Sequence, residues 1–165
     1  METMTHSGKA TVTLPSDTEI LIEREFDAPA HLVWRATTEP ELIKRWWSGK
    51  RGEVTSVEVD LRVGGTWRYV MVANEGFEVA FHGTYRELVP DERTVSTELY
   101  EMPDLTEDDA TLNTVTYDER DGKTMLTTLV QCREKEIRDA IIESGMEGGM
   151  QEAMDLLEQV AVSLA

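Results

Sequence analysis

The sequence predicts an α+β fold: a curved antiparallel sheet of about six or seven strands wrapped around a long C-terminal helix, with two short helices after the first strand. Three observations carry this. Apolar residues alternate with polar ones in a series of short segments through the middle of the chain. Tight-turn pairs, Gly64-Gly65, Glu75-Gly76 and Asp121-Gly122, separate those segments. The last stretch, Ser144 to Ala165, changes to helical spacing: Met146, Met150, Met154, Leu157, Ala161 and Leu164 recur every three or four residues as one apolar stripe.

Residues Met1 to about Asp17 read as a flexible leader of Ser, Thr, Gly and Pro without a period, leaving 18–165 as one domain. Ile20, Ile22, Arg24 and Phe26 then alternate with Glu19, Leu21, Glu23 and Glu25, a strand with one largely apolar face. Asp27-Ala28-Pro29 ends it and opens a helix carrying Leu32, Val33 and Ala36, and Glu39-Pro40 restarts the chain as a second short helix. That helix ends in Trp46-Trp47 and a Ser48-Gly49 exit. Val57, Val59, Leu61 and Val63 mark the next strand; Trp67, Tyr69 and Met71 follow it, then Phe77, Val79, Phe81 and Tyr85, then Val95, Thr97 and Leu99. Met102–Ala110 is a surface loop, and Leu112 to Thr116 and Thr124 to Arg133 are the last strands. Arg138 to Glu143 makes one or two helical turns before the terminal helix. About 20 residues of helix span about 30 Å, enough to cover the apolar face of such a meander.

Composition limits function. Thirty-three acids against 16 bases give a formal charge of −17, which repels phosphate backbones and argues against nucleic acid. No apolar run reaches the length of a membrane span, so no membrane insertion is expected. A single cysteine, Cys132, permits no internal disulfide and fits a cytoplasmic protein, monomeric or homodimeric. Between Gln131 and Arg133 it lacks an activating histidine and reads as a small strand hydrophobe. His6, His31 and His82 are isolated, there is no cysteine cluster, and Gly64-Gly65 lacks the rest of a phosphate loop. No catalytic residue, metal site or cofactor is therefore assigned.

The binding residues form a larger set. Trp46, Trp47, Trp67, Tyr69, Phe77 and Phe81 lie on elements that the architecture aims at one cavity, with Met146, Met150 and Met154 as its lid. The alternative is that they pack on one another and leave no room. Arg62, His82 and Glu98 are the possible polar groups of such a cavity. By period His82 lies opposite Phe81, and Arg62 and Glu98 face away from their apolar neighbours, which equally fits surface or rim positions.

The order of these segments resembles the START-like helix-grip superfamily (SRPBCC). Within it the chain is similar to the branch grouped with the C-terminal domain of activators of the ninety-kilodalton heat-shock chaperone ATPase. The resemblance covers about Glu19 to Leu164. It rests on Phe26-Asp27-Ala28-Pro29 with Val33-Trp34, on Trp46-Trp47, on Asp60-Leu61-Arg62-Val63-Gly64-Gly65-Thr66-Trp67, on Gly83-Thr84-Tyr85-Arg86-Glu87-Leu88-Val89-Pro90 and on Ser144-Gly145-Met146-Glu147-Gly148-Gly149-Met150. The resemblance implies a helix-grip fold, and a superfamily that includes lipid carriers, ligand sensors, cyclases and co-chaperone domains. Many relatives place tryptophan where this chain has Gly149 or Met150, which implies a roomier pocket floor here. The expected function is a binding protein for a small hydrophobic or aromatic molecule, gated by Trp47–Gly52 and Met102–Ala110. Two alternatives stand beside it: a co-chaperone-like module with a chaperone as partner, and a cyclase- or hydrolase-type enzyme using the same cavity.

Overall fold

The computed structural model describes residues 9–165. Among them, eight strands form one antiparallel sheet in the order β1-β2-β8-β7-β6-β5-β4-β3. The strands are β1 (Thr11–Thr13), β2 (Glu19–Phe26), β3 (Gly52–Val59), β4 (Thr66–Ala73), β5 (Glu78–Val89), β6 (Arg93–Tyr100), β7 (Thr111–Arg120) and β8 (Lys123–Gln131). Helices α1 (Ala30–Thr38) and α2 (Pro40–Ile43) follow β2, and α3 (Lys135–Glu143) and α4 (Met146–Ser163) close the chain. The fold is the α+β arrangement expected, with a slightly higher strand count. His6 and the rest of residues 1–8 lie outside the described residues. Thr11–Thr13 belongs to the expected leader but pairs with Leu21–Glu23 of β2. Its Thr-Val-Thr run suits a pleated edge.

Local sequence explains the boundaries. Pro40 excludes the helical conformation at Glu39, which sits at φ −86°, ψ 123°, so α1 stops and α2 restarts. Asp121 and Gly122 both take positive φ, 55° and 80°, the geometry a two-residue hairpin needs between β7 and β8. Val57 and Val59 lie in β3, but Leu61 and Val63 do not continue it. Asp60–Gly65 is a loop turned by Gly64 at φ 86°, and it leaves Leu61 and Val63 exposed. Gly145, at φ 82°, divides α3 from α4.

The first and last long strands pair along their whole length, Glu19 opposite Gln131 through Phe26 opposite Thr124. Ile20, Ile22, Arg24 and Phe26 all point to the inner face and are buried. Helix α4 packs there in two clusters. One joins Phe26, Tyr117 and Leu126 to Leu32, Val33 and Trp34 of α1 and to Leu157, Val160 and Ala161 of α4. The other joins Ile20, Ile22, Val130, Ala10 and Cys132, with Met146, Met150, Met154, Ile137 and Ile141 against it. Arg24 is 1% exposed and reaches α4 directly: Nη1 donates to Asp155 Oδ1 and Nη2 to Glu158 Oε1, each at 2.8 Å. These contacts fix α4 over the β2-β8-β7 half of the sheet.

Candidate functional site

The other half of the inner face, β3 to β6, is built differently. Register places Trp67 opposite Gly83 and Val59, Tyr69 opposite Phe81 and Val57, and Phe81 opposite Tyr100. These rings therefore share one face. Phe81 and Tyr100 stack at 4.9 Å between centroids and 20° between planes, and Trp67 lies 4.6 Å from Tyr69. Trp47, from the segment after α2, sets its ring edge-on to Tyr69 at 5.4 Å and to Phe81 at 5.7 Å. None of these five residues belongs to either core cluster.

Gly83 makes the room. A Cβ there would collide with the Thr97 carbonyl and stand 2.6 Å from Trp67 Nε1, so the indole lies over the bare backbone. That indole N–H is buried and has no hydrogen-bond partner among the described residues. Beyond Gly83 is β6, where Glu98, Ser96 and Tyr100 share the inner face, since Ser96 pairs with Tyr85 and Tyr100 with Phe81. Asn113 Nδ2 donates to Glu98 Oε1 at 2.7 Å, and Thr111 Oγ1 donates to Asn113 Oδ1 at 2.9 Å. The phenols of Tyr69 and Tyr85 lie close enough to influence one another's ionisation.

Desolvation shifts Tyr69, Tyr85 and Glu98 upward. Burial holds the Tyr69 hydroxyl well above the usual phenol range, with the Glu98 carboxylate adding to it, and pushes Tyr85 up to about 12. The Glu98 carboxyl is raised by burial against a smaller opposing effect of the Asn113 amide. Yet Tyr69 and Glu98 each keep some water-accessible surface. This face therefore combines ring-bearing walls, one carboxyl and two phenols that are hemmed in by protein and still touched by water.

The segment 47–52 closes the side facing α4. A Cβ on Gly49 would be 3.1 Å from Glu152 Cβ, Arg51 Nε donates to Glu152 Oε1 at 3.0 Å, and the Lys50 amide reaches the same oxygen at 3.3 Å. Arg51 also lies against Gly148, where a Cβ would be 2.9 Å from its guanidinium. The small residues at the start of α4 admit this close crossing.

The residues singled out from the sequence separate into three groups. Trp47, Trp67, Tyr69 and Phe81 come together as described, and Glu98 faces the same space. Met146, Met150 and Met154 pack half-buried on the aliphatic patch of β2 and β8. Trp46 turns into the α1 side of the core, where its Nε1 donates to Ala36 O at 2.8 Å. Phe77 is 55% exposed at the β4–β5 turn, away from these rings. Arg62 is exposed on the β3–β4 loop and pairs with Asp60 at 2.9 Å. His82 lies on the outer face, so Arg62, His82 and Glu98 are not brought to one site.

His82 instead fastens a loop. Its Nδ1 is 2.8 Å from Glu101 Oε2 and its Nε2 is 2.7 Å from Glu107 Oε2. Arg68 holds the other side of Glu101 with two hydrogen bonds of 2.8 and 2.9 Å. The hydrogen bonds to Glu101 and Glu107 raise the His82 pKa, and Arg68 chiefly holds the Glu101 carboxyl down at about 2. The 102–109 loop thus covers outward-facing Leu99 and borders an open cleft of about 660 Å³ on the outer face. It is anchored there by Glu107 rather than poised over the inner face. Tyr100, Tyr85 and Asn113 were missed in the sequence. Asn113 carries no local signal, but Tyr85 continues the alternation of Phe77, Val79 and Phe81, and Tyr100 lies two residues beyond Glu98 on the same strand face.

Comparison with known proteins agrees with this geometry. The family described as activator of Hsp90 ATPase homolog 1-like protein matches residues 27–161. A crystal structure of a Rhodobacter sphaeroides protein aligns with a TM-score of 0.85 at 26% identity, covering 94% of this chain and 99% of that one. One from Chromobacterium violaceum aligns at 0.77 and 26% identity, covering 88% and 98%. The solution structure of a protein from Aeromonas hydrophila, described as similar to the same activator, aligns at 0.69 and 23%, covering 88% and 93%. The search of curated proteins gave no match. Among the described residues, no helix is long and apolar enough to cross a membrane.

Proposed function

The chain belongs to the activator of Hsp90 ATPase homolog 1-like family, and from that membership we propose that it binds a small hydrophobic or aromatic molecule between the sheet and α4. The observation that supports this best is the contrast between the two halves of the inner face. Under α4 the β2-β8-β7 half is filled by aliphatic and aromatic core. The β3–β6 half gathers Trp47, Trp67, Tyr69, Phe81 and Tyr100 outside that core, with Trp47, Tyr69, Phe81 and Tyr100 only partly buried. Rings arranged on adjacent strands offer flat apolar walls, and Glu98 with the Tyr69–Tyr85 pair offers the few polar groups that orient a guest.

Access is expected past the 47–52 segment, whose hold on α4 is an exposed ion pair of the weak kind, Arg51 with Glu152. Trp47 and Trp67 make the test direct. Titration with the neutral fluorophore N-phenyl-1-naphthylamine should show saturable one-to-one binding with energy transfer from tryptophan, weakened at least tenfold by Phe81→Ala. Absence of saturable binding, together with native mass spectrometry finding nothing co-purified, would remove the proposal.

The family description favours one second reading, stimulation of a chaperone ATPase. The exposed Leu61 and Val63 on the β3–β4 loop would then serve as contact residues. Unchanged ATP turnover by purified Hsp90 in the presence of the chain would dispose of it.

A further inference from the structure

Resting on the reading that the inner concavity holds a small molecule, we propose that its guest carries a positively charged nitrogen: Glu98 is the counter-ion for an organic ammonium group seated against the rings of Tyr69, Phe81 and Tyr100. The observation behind this is a missing partner. Carboxylates drawn into a protein interior are paired with cations or fully hydrogen-bonded. Glu98 receives one hydrogen bond, from Asn113, and among the described residues no Arg, Lys or His is paired with it. The chain does pair Arg24, buried on the same face, with two carboxylates. The unpaired acid stands where the aromatic rings are densest.

The surroundings suit an alkylated ammonium better than a compact, strongly hydrated cation. Glu98 and Tyr100 are two residues apart on one strand face, and Phe81 stacks on Tyr100. Gly83, between Trp67 and β6, leaves no side chain to separate the carboxyl from the indole. Ring faces attract ammonium groups that have shed water, and a carboxylate beside them supplies the opposite charge. The phenols of Tyr69 and Tyr85 are held neutral by burial, so they contribute faces and dipoles rather than a second anion. A net charge of −17 also raises the local concentration of cations around the molecule. An anionic guest, such as a fatty acid headgroup, would meet Glu98 with like charge.

The test uses two probes of the same shape, phenyltrimethylammonium and tert-butylbenzene, which differ in having a charged nitrogen or a carbon at the branch point. Binding to the full chain is followed by tryptophan fluorescence and by calorimetry. The wild type should bind the cation at least tenfold more tightly. In Glu98→Gln and Glu98→Met that ratio should fall to within about twofold, and Glu98→Asp should keep a preference for the cation. Equal affinities in the wild type, or a cation preference that survives in a folded Glu98→Gln or Glu98→Met variant, would overturn the inference and leave the binding proposal standing. Failure of both probes to bind the wild type would overturn both.

Discussion

The ion pairs of Arg24 give the most demanding check on how α4 is held. The guanidinium is 1% exposed, lies 4.9 Å from the centroid of the Phe26 ring, and donates to Asp155 and to Glu158 at 2.8 Å each. Its Nε has no partner among the described residues. The two acids differ. Asp155 is 55% exposed and its share is screened by water, whereas Glu158 is 19% exposed and also accepts the Asp27 amide at 2.8 Å through Oε2. Removing one partner of a buried pair costs about 3–5 kcal/mol when a charge is left stranded, whereas replacing the charge by an apolar group of similar volume is often nearly neutral.

The structure therefore predicts an asymmetry. Glu158→Gln strands Arg24 with one solvated partner and should cost about 3 kcal/mol. Arg24→Met leaves two acids, one in solvent and one still holding a backbone amide, and fills the same space with apolar atoms. It should cost about 1 kcal/mol or less. Asp155→Asn should also stay near 1 kcal/mol. The double variant Arg24→Met with Glu158→Gln should recover most of the loss from Glu158→Gln alone. Thermal unfolding followed by tryptophan fluorescence and circular dichroism would measure all four, with the 3 kcal/mol change appearing as a fall in Tm of about 6–12 °C for a domain of this size. If Arg24→Met proves costlier than Glu158→Gln, the account is wrong and the guanidinium is a net source of stability.

Three further outcomes follow from the same geometry. The His82 pKa is raised by its two carboxylates, so the stability it contributes is complete below the unfolded value near 6.5 and is lost as pH rises through the folded value. The Tm difference between wild type and His82→Gln should accordingly be largest near pH 5.5 and shrink by pH 8.5, with amide exchange in 102–109 accelerating over the same range; a pH-independent difference would deny the latch. Gly83→Ala should lose about 3 kcal/mol in thermal unfolding, because the added carbon meets the Thr97 carbonyl, and a loss below 1 kcal/mol would show that the two strands separate easily there. Trp67→Phe should change stability by less than about 1 kcal/mol, since lost ring contact is offset by removal of an unsatisfied buried N–H; a loss above 2 kcal/mol would mean the indole has a partner.

Period-2 alternation and turn pairs were enough to read the meander, and the stripe on the last helix was enough to place it over a sheet. What alternation left open was where polar residues on an inner face find their partners. Arg24 fell correctly on the buried face of β2, but its acids lie 131 and 134 residues away, on positions that helical spacing assigns to water. Glu98 shows a different failure. Its neighbours Val95, Thr97 and Leu99 make the opposite face of β6 look like the core side. In the fold that face is bordered by the 102–109 loop and Leu99 is 6% exposed, while Glu98 lies on the inner face with Ser96 and Tyr100. Apolar periodicity tells which side of a strand is dry, not which side faces the helix. The methionine stripe carries the same lesson: helical phase aimed it at the sheet, and only the offset of α4 toward β2 and β8 decided which strands it met.

That offset also explains how one small domain can be both firm and receptive. Because α4 is fixed at one side by Arg24 and by the Leu157 cluster, the strands beneath it draw little on β3–β6 for their packing, to which β5 adds Leu88. The aromatic half is freed from holding the helix, and its rings stabilise each other edge-on and by stacking instead of interlocking with α4. A carboxyl such as Glu98 would be costly among the buried Ile20, Ile22 and Val130. Its place on the far strands follows from the division of the sheet into a half that is filled and a half that is lined.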